Sequence, residues 1–234
     1  MRFSLIEDLK DEEYCIYFSK SYQELFSRIY NSNFKFIKFD YLDKTIYLPL
    51  IFRKLKDNNY EAFSSYGYGG LIGEDIKLRD IDIINLRSFL SSQNVHSLFI
   101  RHSPFLQNHN FWPEELLEAN RISYESSLSS FLDFNSFKKK LGQKIRASIN
   151  HAEKNNYLPN YVEKPLLKTL NDFYELYVSR MNELSASKFY YFDYKFFEDH
   201  FLNLAERCKL LTIQNSRSKI VAGAIFLCDP KSKM

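Results

Sequence analysis

Apolar positions in the first half of the chain follow two different spacings. Apolar residues three and four positions apart predict helices over residues 21–30 and 80–92. Strands are predicted where aromatic and branched residues cluster between turn residues: 34–40, 45–53, 60–64, 96–101 and part of 124–134. Pro49 lies inside the second of these runs, which indicates an edge strand or a bulge. The alternation of helices and strands predicts a layered α/β (α+β) domain.

The second half is predicted to be helical first and to end in strands. The predicted helices cover residues 135–155, 165–184 and 194–207. Asn135 or Ser136 caps the first helix. That helix carries one apolar stripe, made of Phe137, Leu141, Ile145, Ile149 and Ala152. Residues 209–214 and 219–227 are separated by a short polar turn and predict an antiparallel hairpin.

A boundary near Phe134 divides the chain into a first domain, 1–134, and a second region, 135–234. Two strands alone do not make a stable sheet, and Asp229 with Pro230 is typical of a turn into a further strand. We therefore interpret the second domain as incomplete. It either borrows strands from the first domain or belongs to a longer protein. Because strand 219–227 is apolar on both faces, we expect self-association through its unpaired edge.

The composition narrows the class of protein. Hydrophobic residues make up 45% of the 234 residues, and glycine and proline are scarce at six each, which is the opposite of a disordered chain. The formal net charge of +3 does not by itself indicate a nucleic-acid partner. The three cysteines have no CxxC spacing and the five histidines form no HExxH motif, so we expect no metal and a reducing compartment.

The sequence carries no membrane signal. Residues 1–13 lack a basic start followed by an apolar run. The longest apolar stretch near the end, 220–228, has nine residues. A membrane helix needs ~20 residues. We therefore expect a cytoplasmic protein without a transmembrane segment.

Glycines are concentrated in one short segment. Four of the six lie within seven residues: Gly67, Gly69, Gly70 and Gly73. Glycine permits positive φ and lets another group approach the main chain closely. Two interpretations remain open, a tight turn with packed tyrosines or a substrate-binding surface. The surface would comprise Tyr66, Gly67, Tyr68, Gly69 and Gly70.

Further candidates follow a predicted strand or lie in the second half. Arg101 and His102 stand at a strand end, where ligand clefts commonly open. His102 is either a general base with a pKa near working pH or a buried, hydrogen-bonded histidine. Arg180 and the aromatic run that contains Tyr191 form either an acceptor pocket or core packing.

Basic residues are concentrated in the first helix of the second half. The cluster consists of Lys138, Lys139, Lys140, Lys144 and Arg146. It is either a solvated helix face or a binding site for a phosphate of tRNA, of a lipid-linked precursor or of a nucleotide sugar.

The order of these segments resembles the FemAB-like acyltransferases of the GNAT superfamily. Residues 65–70 match the serine-tyrosine-glycine-tyrosine-glycine-glycine signature of that family. The basic helix resembles the family's pattern with Arg146, Ile149 and Ala152 in register. Other similar segments, in the family's order, are 45–53, 101–108, 173–197 and 220–226.

The resemblance implies two tandem GNAT-like domains, each a mixed sheet flanked by helices, with the second incomplete. It implies an N-acyltransferase or aminoacyltransferase that modifies a cell-envelope precursor, such as a peptidoglycan precursor, or an amino sugar. The donor would be acyl-CoA or an aminoacyl-tRNA. Arg146 would bind an anionic ligand or tie the domains together. No segment of the chain resembles the family's glycine-containing donor loop, so two alternatives stay open: a catalytically inactive binding module, and a tRNA binder that uses the basic helix.

Overall fold

A computed structural model describes residues 1–9, 15–41, 43–74, 76–119 and 130–229. The fold is α+β, with one mixed sheet, one antiparallel sheet and packed helices, as the sequence predicts. The chain divides into two units, Met1–Arg121 with Asp229–Met234, and Ile122–Cys228. The strand predicted within residues 124–134 falls mostly outside the described residues, as does Pro230 of the predicted final turn.

The first unit is built on one sheet. Its strands are β1 (Arg2–Ile6), β2 (Asn33–Tyr41), β3 (Lys44–Lys54), β4 (Tyr60–Phe63), β5 (Ile72–Gly73) and β6 (Val95–Phe99). Its helices are α1 (Lys20–Ile29) and α2 (Asp80–Ser92). The strand order is β1-β2-β3-β4-β6, and β5 also pairs with β3. All pairs are antiparallel except β4 with β6, which is parallel.

The two helices of this unit form where their predicted apolar faces can be buried. Ser19 caps α1 by accepting a hydrogen bond from the Tyr22 amide, at 3.3 Å. The buried carboxylate of Asp82 accepts from the Arg79 amide, at 3.0 Å, and so satisfies a free donor at the start of α2. The prediction of both helices is confirmed.

The sheet is packed on both faces. One face contributes fully buried residues of β2 and β3 to a core shared with α2. These sheet residues are Ile37, Phe39, Ile46, Leu48 and Leu50. The opposite face contains Phe36 and Ile51, also fully buried, and α1 packs against β2 and β3. Burial on both faces explains why β3 is a nearly continuous apolar run instead of an alternating one.

Pro49 lies in a central strand whose register with β2 is unbroken, so neither of the two alternatives, an edge strand or a bulge against β2, is found. β3 pairs with β2 along its length, but on its other side it pairs with β4 only at residues 51–54 and with β5 only at residues 46–47. Pro49 falls between these two pairings, where β3 has no strand partner on that side among the described residues. A residue without an amide hydrogen is tolerated at such an interruption of the ladder.

The second unit has a smaller sheet and four helices among its described residues. The helices are α3 (Phe134–Lys140), α4 (Gln143–Lys154), α5 (Leu167–Glu183) and α6 (Tyr194–Leu204). The strands are β7 (Leu158–Val162), β8 (Cys208–Gln214) and β9 (Ile220–Leu227), in the order β7-β8-β9 and antiparallel throughout. The predicted hairpin is confirmed as β8 and β9, while β7, which contains Pro159 and Asn160, was missed.

The single basic helix predicted over residues 135–155 is two helices. Leu141 and Gly142 have extended backbone, with ψ of 151° and 152°, and they separate α3 from α4. Asp133, and not Asn135 or Ser136, caps α3, accepting from the Ser136 amide at 2.7 Å. The apolar stripe did not reveal the break, because the helical spacing of apolar residues in the sequence continues through Leu141.

The core of the first unit can be tested with two leucines. Leu48→Ala is expected to lower the free energy of unfolding by about 2–5 kcal/mol, because it leaves a cavity in a fully buried layer. Leu55 follows β3 and is 44% exposed, so Leu55→Ala is expected to change it by no more than about 0.5 kcal/mol. Denaturant unfolding of both variants makes the comparison, and equal losses would contradict this packing.

Candidate functional site

The first unit contains a groove of about 360 Å³ beside its parallel strand pair. β4, β6 and the residues that follow each strand form most of its walls. The lining residues are Tyr30, Arg53, Glu61, Ala62, Phe63, Ser64, Ser65, Tyr66, Gly67, Ser97, Phe99 and Arg101. Parallel strands end at a common edge, so their following loops are brought together there, as is usual for ligand clefts.

Aromatic rings form part of the groove lining. Phe63 and Phe99 are paired across β4 and β6, and 64% of Phe99 is exposed. The ring of Tyr30 meets that of Phe63 edge to face, with 5.0 Å between centroids. Such a surface offers contact area to an apolar chain or a flat ring.

Two arginines line the groove, and their environments differ. Arg53 forms an ion pair with Glu61 and lies over the Phe63 ring, 5.3 Å from its centroid. The guanidinium of Arg101 lies over the Tyr68 ring at 5.7 Å, and no carboxylate of the described residues pairs with it. Arg101 therefore offers the groove an uncompensated positive charge that fits a phosphate or carboxylate.

The glycine-rich segment is attached to the residues after β6 by main-chain hydrogen bonds. The Ser64 amide donates to the Phe99 carbonyl at 3.0 Å, and the Arg101 amide donates to the Ser64 hydroxyl at 3.0 Å. The Gly69 amide donates to the Arg101 carbonyl at 2.7 Å, and Gly69 pairs with His102 as an isolated parallel bridge. The main chain of Arg101 is thus held from both sides.

The glycines are needed for two different reasons. Gly67 and Gly70 have φ of +93° and +114°, a region that side chains disfavour. Gly69 does not have a positive φ, but a Cβ there would lie 2.4 Å from the Cβ of Ser64. At Gly69 the requirement is therefore the close approach of two main-chain segments.

Side chains of α1 fix the other side of this segment. The Tyr22 hydroxyl donates to the Tyr66 carbonyl at 2.6 Å. Gln23 is 1% exposed and donates to the Ser65 hydroxyl at 3.0 Å and to the Tyr17 carbonyl at 2.7 Å. Burial raises the pKa of Tyr17 to about 12 and that of Tyr22 well above its ordinary value, so both hydroxyls stay protonated at neutral pH.

A buried asparagine that the sequence did not single out links the two segments. Asn108 is 2% exposed and its side-chain amide donates to the carbonyls of Gly69 and Leu71, at 2.9 and 3.3 Å. Its side-chain oxygen accepts from the Ser103 amide at 3.1 Å. One asparagine in an irregular segment leaves no periodic signal, which is why sequence reasoning missed it.

His102 does not have the properties expected of a general base. Its ring lies 6.0 Å from that of Trp112 and does not line the groove. Burial, with a smaller contribution from His109, lowers the pKa of His102 to about 4. The imidazole is therefore neutral at working pH and a weak base, contrary to the expected pKa near neutrality.

The structure brings only some of the predicted site residues together. Tyr66, Gly67 and Arg101 line one groove, and Tyr68 supports Arg101 from beside it. Gly69 and Gly70 are buried, next to Ser64 and Asn108 respectively. These last two glycines shape the site without lining it.

The remaining candidates lie in the second unit. The Arg146 guanidinium donates to the carbonyls of Lys139 and Leu141, at 3.0 and 2.6 Å, so it joins α4 to the end of α3. Arg180 pairs with Glu183 at 2.8 Å, and Tyr191 is 43% exposed. The local contact of Arg146 accounts for an arginine at that position without a ligand.

Two properties of the described part of the chain bear on cofactors and membranes. Within the described ranges, no group of three or more His, Cys, Asp or Glu side chains could hold a metal ion. No helix in those ranges combines the length and apolar character needed to cross a membrane.

Comparison with models of protein families and with curated proteins gave no match.

The close approach at Gly69 predicts a position-specific sensitivity. Gly69→Ala is expected to lower the free energy of unfolding by about 1–3 kcal/mol, because the new Cβ overlaps that of Ser64. Gly142→Ala is the control, since no heavy atom lies within 4 Å of its added Cβ and φ is −60°. This control should change the free energy of unfolding by no more than about 1 kcal/mol. Thermal unfolding compares the two variants. A Gly69→Ala variant as stable as the wild type would contradict the close approach of Gly69 to Ser64.

The hydrogen bonds of Asn108 predict a pH-dependent defect. Asn108→Asp removes both donors to the carbonyls of Gly69 and Leu71, which should cost about 2 kcal/mol or more. A buried carboxyl has a raised pKa, so its ionisation opposes folding, and the deficit should grow as pH rises from about 4 to about 7. Asn110→Asp is the matched control, because Asn110 is exposed. Denaturation at both pH values checks this, and a deficit independent of pH would contradict it.

Proposed function

We propose that this protein is an N-acyltransferase or aminoacyltransferase that acylates an amine of a cell-envelope precursor or amino sugar in the cytoplasm. The observation that carries the proposal is that Tyr66, Gly67 and Arg101 line one groove. They come from the two separate segments, 65–70 and 101–108, that resemble the FemAB-like acyltransferases. A resemblance confined to sequence would not require these segments to share one concave surface.

The groove has the two features that an acyl-transfer donor site needs. Both proposed donors, acyl-CoA and aminoacyl-tRNA, carry phosphates, and the guanidinium of the exposed residue Arg101 is suited to one of them. The aromatic surface of Phe63 and Phe99 is suited to an acyl chain or a flat ring. The rigid main chain from Ser64 to Gly70 would hold such a ligand in one position.

The reaction itself needs no covalent enzyme intermediate. The acceptor amine attacks the carbonyl carbon of the donor, and a C–N bond forms. The C–S bond of a thioester, or the C–O bond of an aminoacyl ester, breaks. The amine loses a proton, which the leaving thiolate or alkoxide takes up directly or through solvent. Positioning of the two substrates is the main contribution asked of the protein.

The location of His102 favours a second candidate, a binding module without catalysis. His102 does not line the groove, and burial lowers its pKa to about 4. Such a module would bind the same ligand through Arg101 without turnover. The tRNA-binding alternative draws on Lys139, Lys140 and Lys144, which are exposed side chains of the second unit.

Arg101 provides the test. Arg101→Ala is expected to weaken donor binding about 10-fold or more, because a charge-assisted hydrogen bond contributes about 1.5–3 kcal/mol. Arg87→Ala is the matched control, since Arg87 is an exposed arginine of α2 that does not line the groove. Calorimetry with acetyl-CoA or longer acyl-CoA, and filter binding with aminoacyl-tRNA, measure affinity. Mass spectrometry of glucosamine and of muramyl-peptide acceptors measures acylation.

The outcomes separate the candidates. Acylated product that depends on Arg101 supports the transferase. Donor binding that depends on Arg101 without product supports the binding module. Salt-dependent tRNA binding that is lost in Lys139→Ala/Lys140→Ala/Lys144→Ala, but kept in Arg101→Ala, would contradict the groove as the donor site.

A further inference from the structure

The outer edge of β9 is an open strand edge of unusual composition. Among the described residues, β9 pairs with β8 on one side and with no strand on the other. Its eight residues, Ile220–Leu227, include no charge and no proline. Residues 221–224 are all exposed, and since Gly223 has no side chain, its exposure is that of the main chain. An edge of this kind offers unpaired amide and carbonyl groups to another strand.

The other sheet edges of the described structure carry features that oppose such pairing. β7 contains Pro159, which cannot donate to a ladder. β1 begins with the exposed Arg2, and β6 is five residues long with the exposed polar residues His96 and Ser97. Short strands, charges and prolines are the usual protection of an edge. β9 lacks all three.

The sequence of β9 is nearly symmetric about Gly223. Ala222 and Ala224 flank the glycine, Val221 and Ile225 stand at the next positions, and Ile220 and Phe226 follow. An antiparallel partner with the same sequence, centred on Gly223, would therefore place a similar residue opposite each residue from Ile220 to Phe226. Small residues would meet at the centre and larger apolar residues further out, which is a self-complementary edge.

We propose that β9 is a homodimer interface, in which two copies pair edge to edge as antiparallel strands with the two-fold axis at Gly223. The two sheets would then continue as one six-stranded sheet, β7-β8-β9-β9-β8-β7. The side chains of Ala222 and Ala224 would lie opposite each other across the axis. On the other face, a Cβ at Gly223 would lie 2.7 Å from the ring of Phe173, so α5 already covers that side.

A charge-swap experiment tests both the dimer and its register. The wild-type chain should elute as a dimer in light-scattering chromatography at micromolar concentration. Ala222→Lys/Ala224→Lys should be monomeric, because lysines would face lysines across the axis. Ala222→Glu/Ala224→Glu should be monomeric for the same reason. Mixing the two variants should restore a dimer that contains one copy of each, which also shows that both variants are folded.

A matched control uses an exposed apolar residue on another element of the same unit. Leu202 lies on α6 and is 67% exposed, and Leu202→Lys should leave the dimer intact. A monomeric wild-type chain would overturn the proposal, as would dimers of both charged variants or a mixture that stays monomeric. Loss of the dimer in Leu202→Lys alone would place the interface on α6 and overturn it as well.

Discussion

The hydrogen bond from the Gly69 amide to the Arg101 carbonyl, 2.7 Å long, is the contact on which the candidate site depends. It joins the glycine-rich segment to the residues after β6, and it forms because Gly69 has no Cβ to meet Ser64. With its carbonyl held by Gly69 and its amide by the Ser64 hydroxyl, the main chain of Arg101 has one position. The long side chain of Arg101 is then directed by Tyr68 toward the groove.

Buried side chains supply the polar partners that this arrangement needs. Gln23 and Tyr22 donate hydrogen bonds to one side of the glycine-rich segment, and Asn108 donates to the other side. Where the main chain turns at positive φ, its carbonyls cannot bond to a neighbouring strand. Buried side-chain amides and hydroxyls supply the hydrogen-bond donors instead. The result is a layer of polar groups at the edge of an apolar core, and the loss of one of its donors leaves a buried carbonyl without a partner.

Periodic features of this fold could be predicted from the sequence, and aperiodic ones could not. α1, α2, β2, β3 and β4 follow from apolar spacing, because burial on a sheet or helix repeats at a fixed interval. Clustered glycines also indicated an unusual main chain at residues 67–73. Asn108 and the position of His102 depend on contacts between residues distant in sequence, and β7 lacks an apolar pattern. The break at Gly142 left that pattern unchanged and was missed for this reason.

The parallel pairing of β4 with β6 has a consequence for how the groove can vary. Phe63 of β4 pairs with Phe99 of β6, and beyond the strands Gly69 pairs with His102 in an isolated bridge. Between these two pairs, the segment after β4 contains residues 64–68 and the segment after β6 contains only residues 100–101. The longer segment therefore forms an arch that is fixed at both ends. Within the arch, the positive φ of Gly67 and the hydrogen bond from Tyr22 to the Tyr66 carbonyl fix the course of the main chain. Side chains that reach the opening can be exchanged while both ends of the arch keep their register. The scaffold can therefore stay constant while the chemistry of the opening changes.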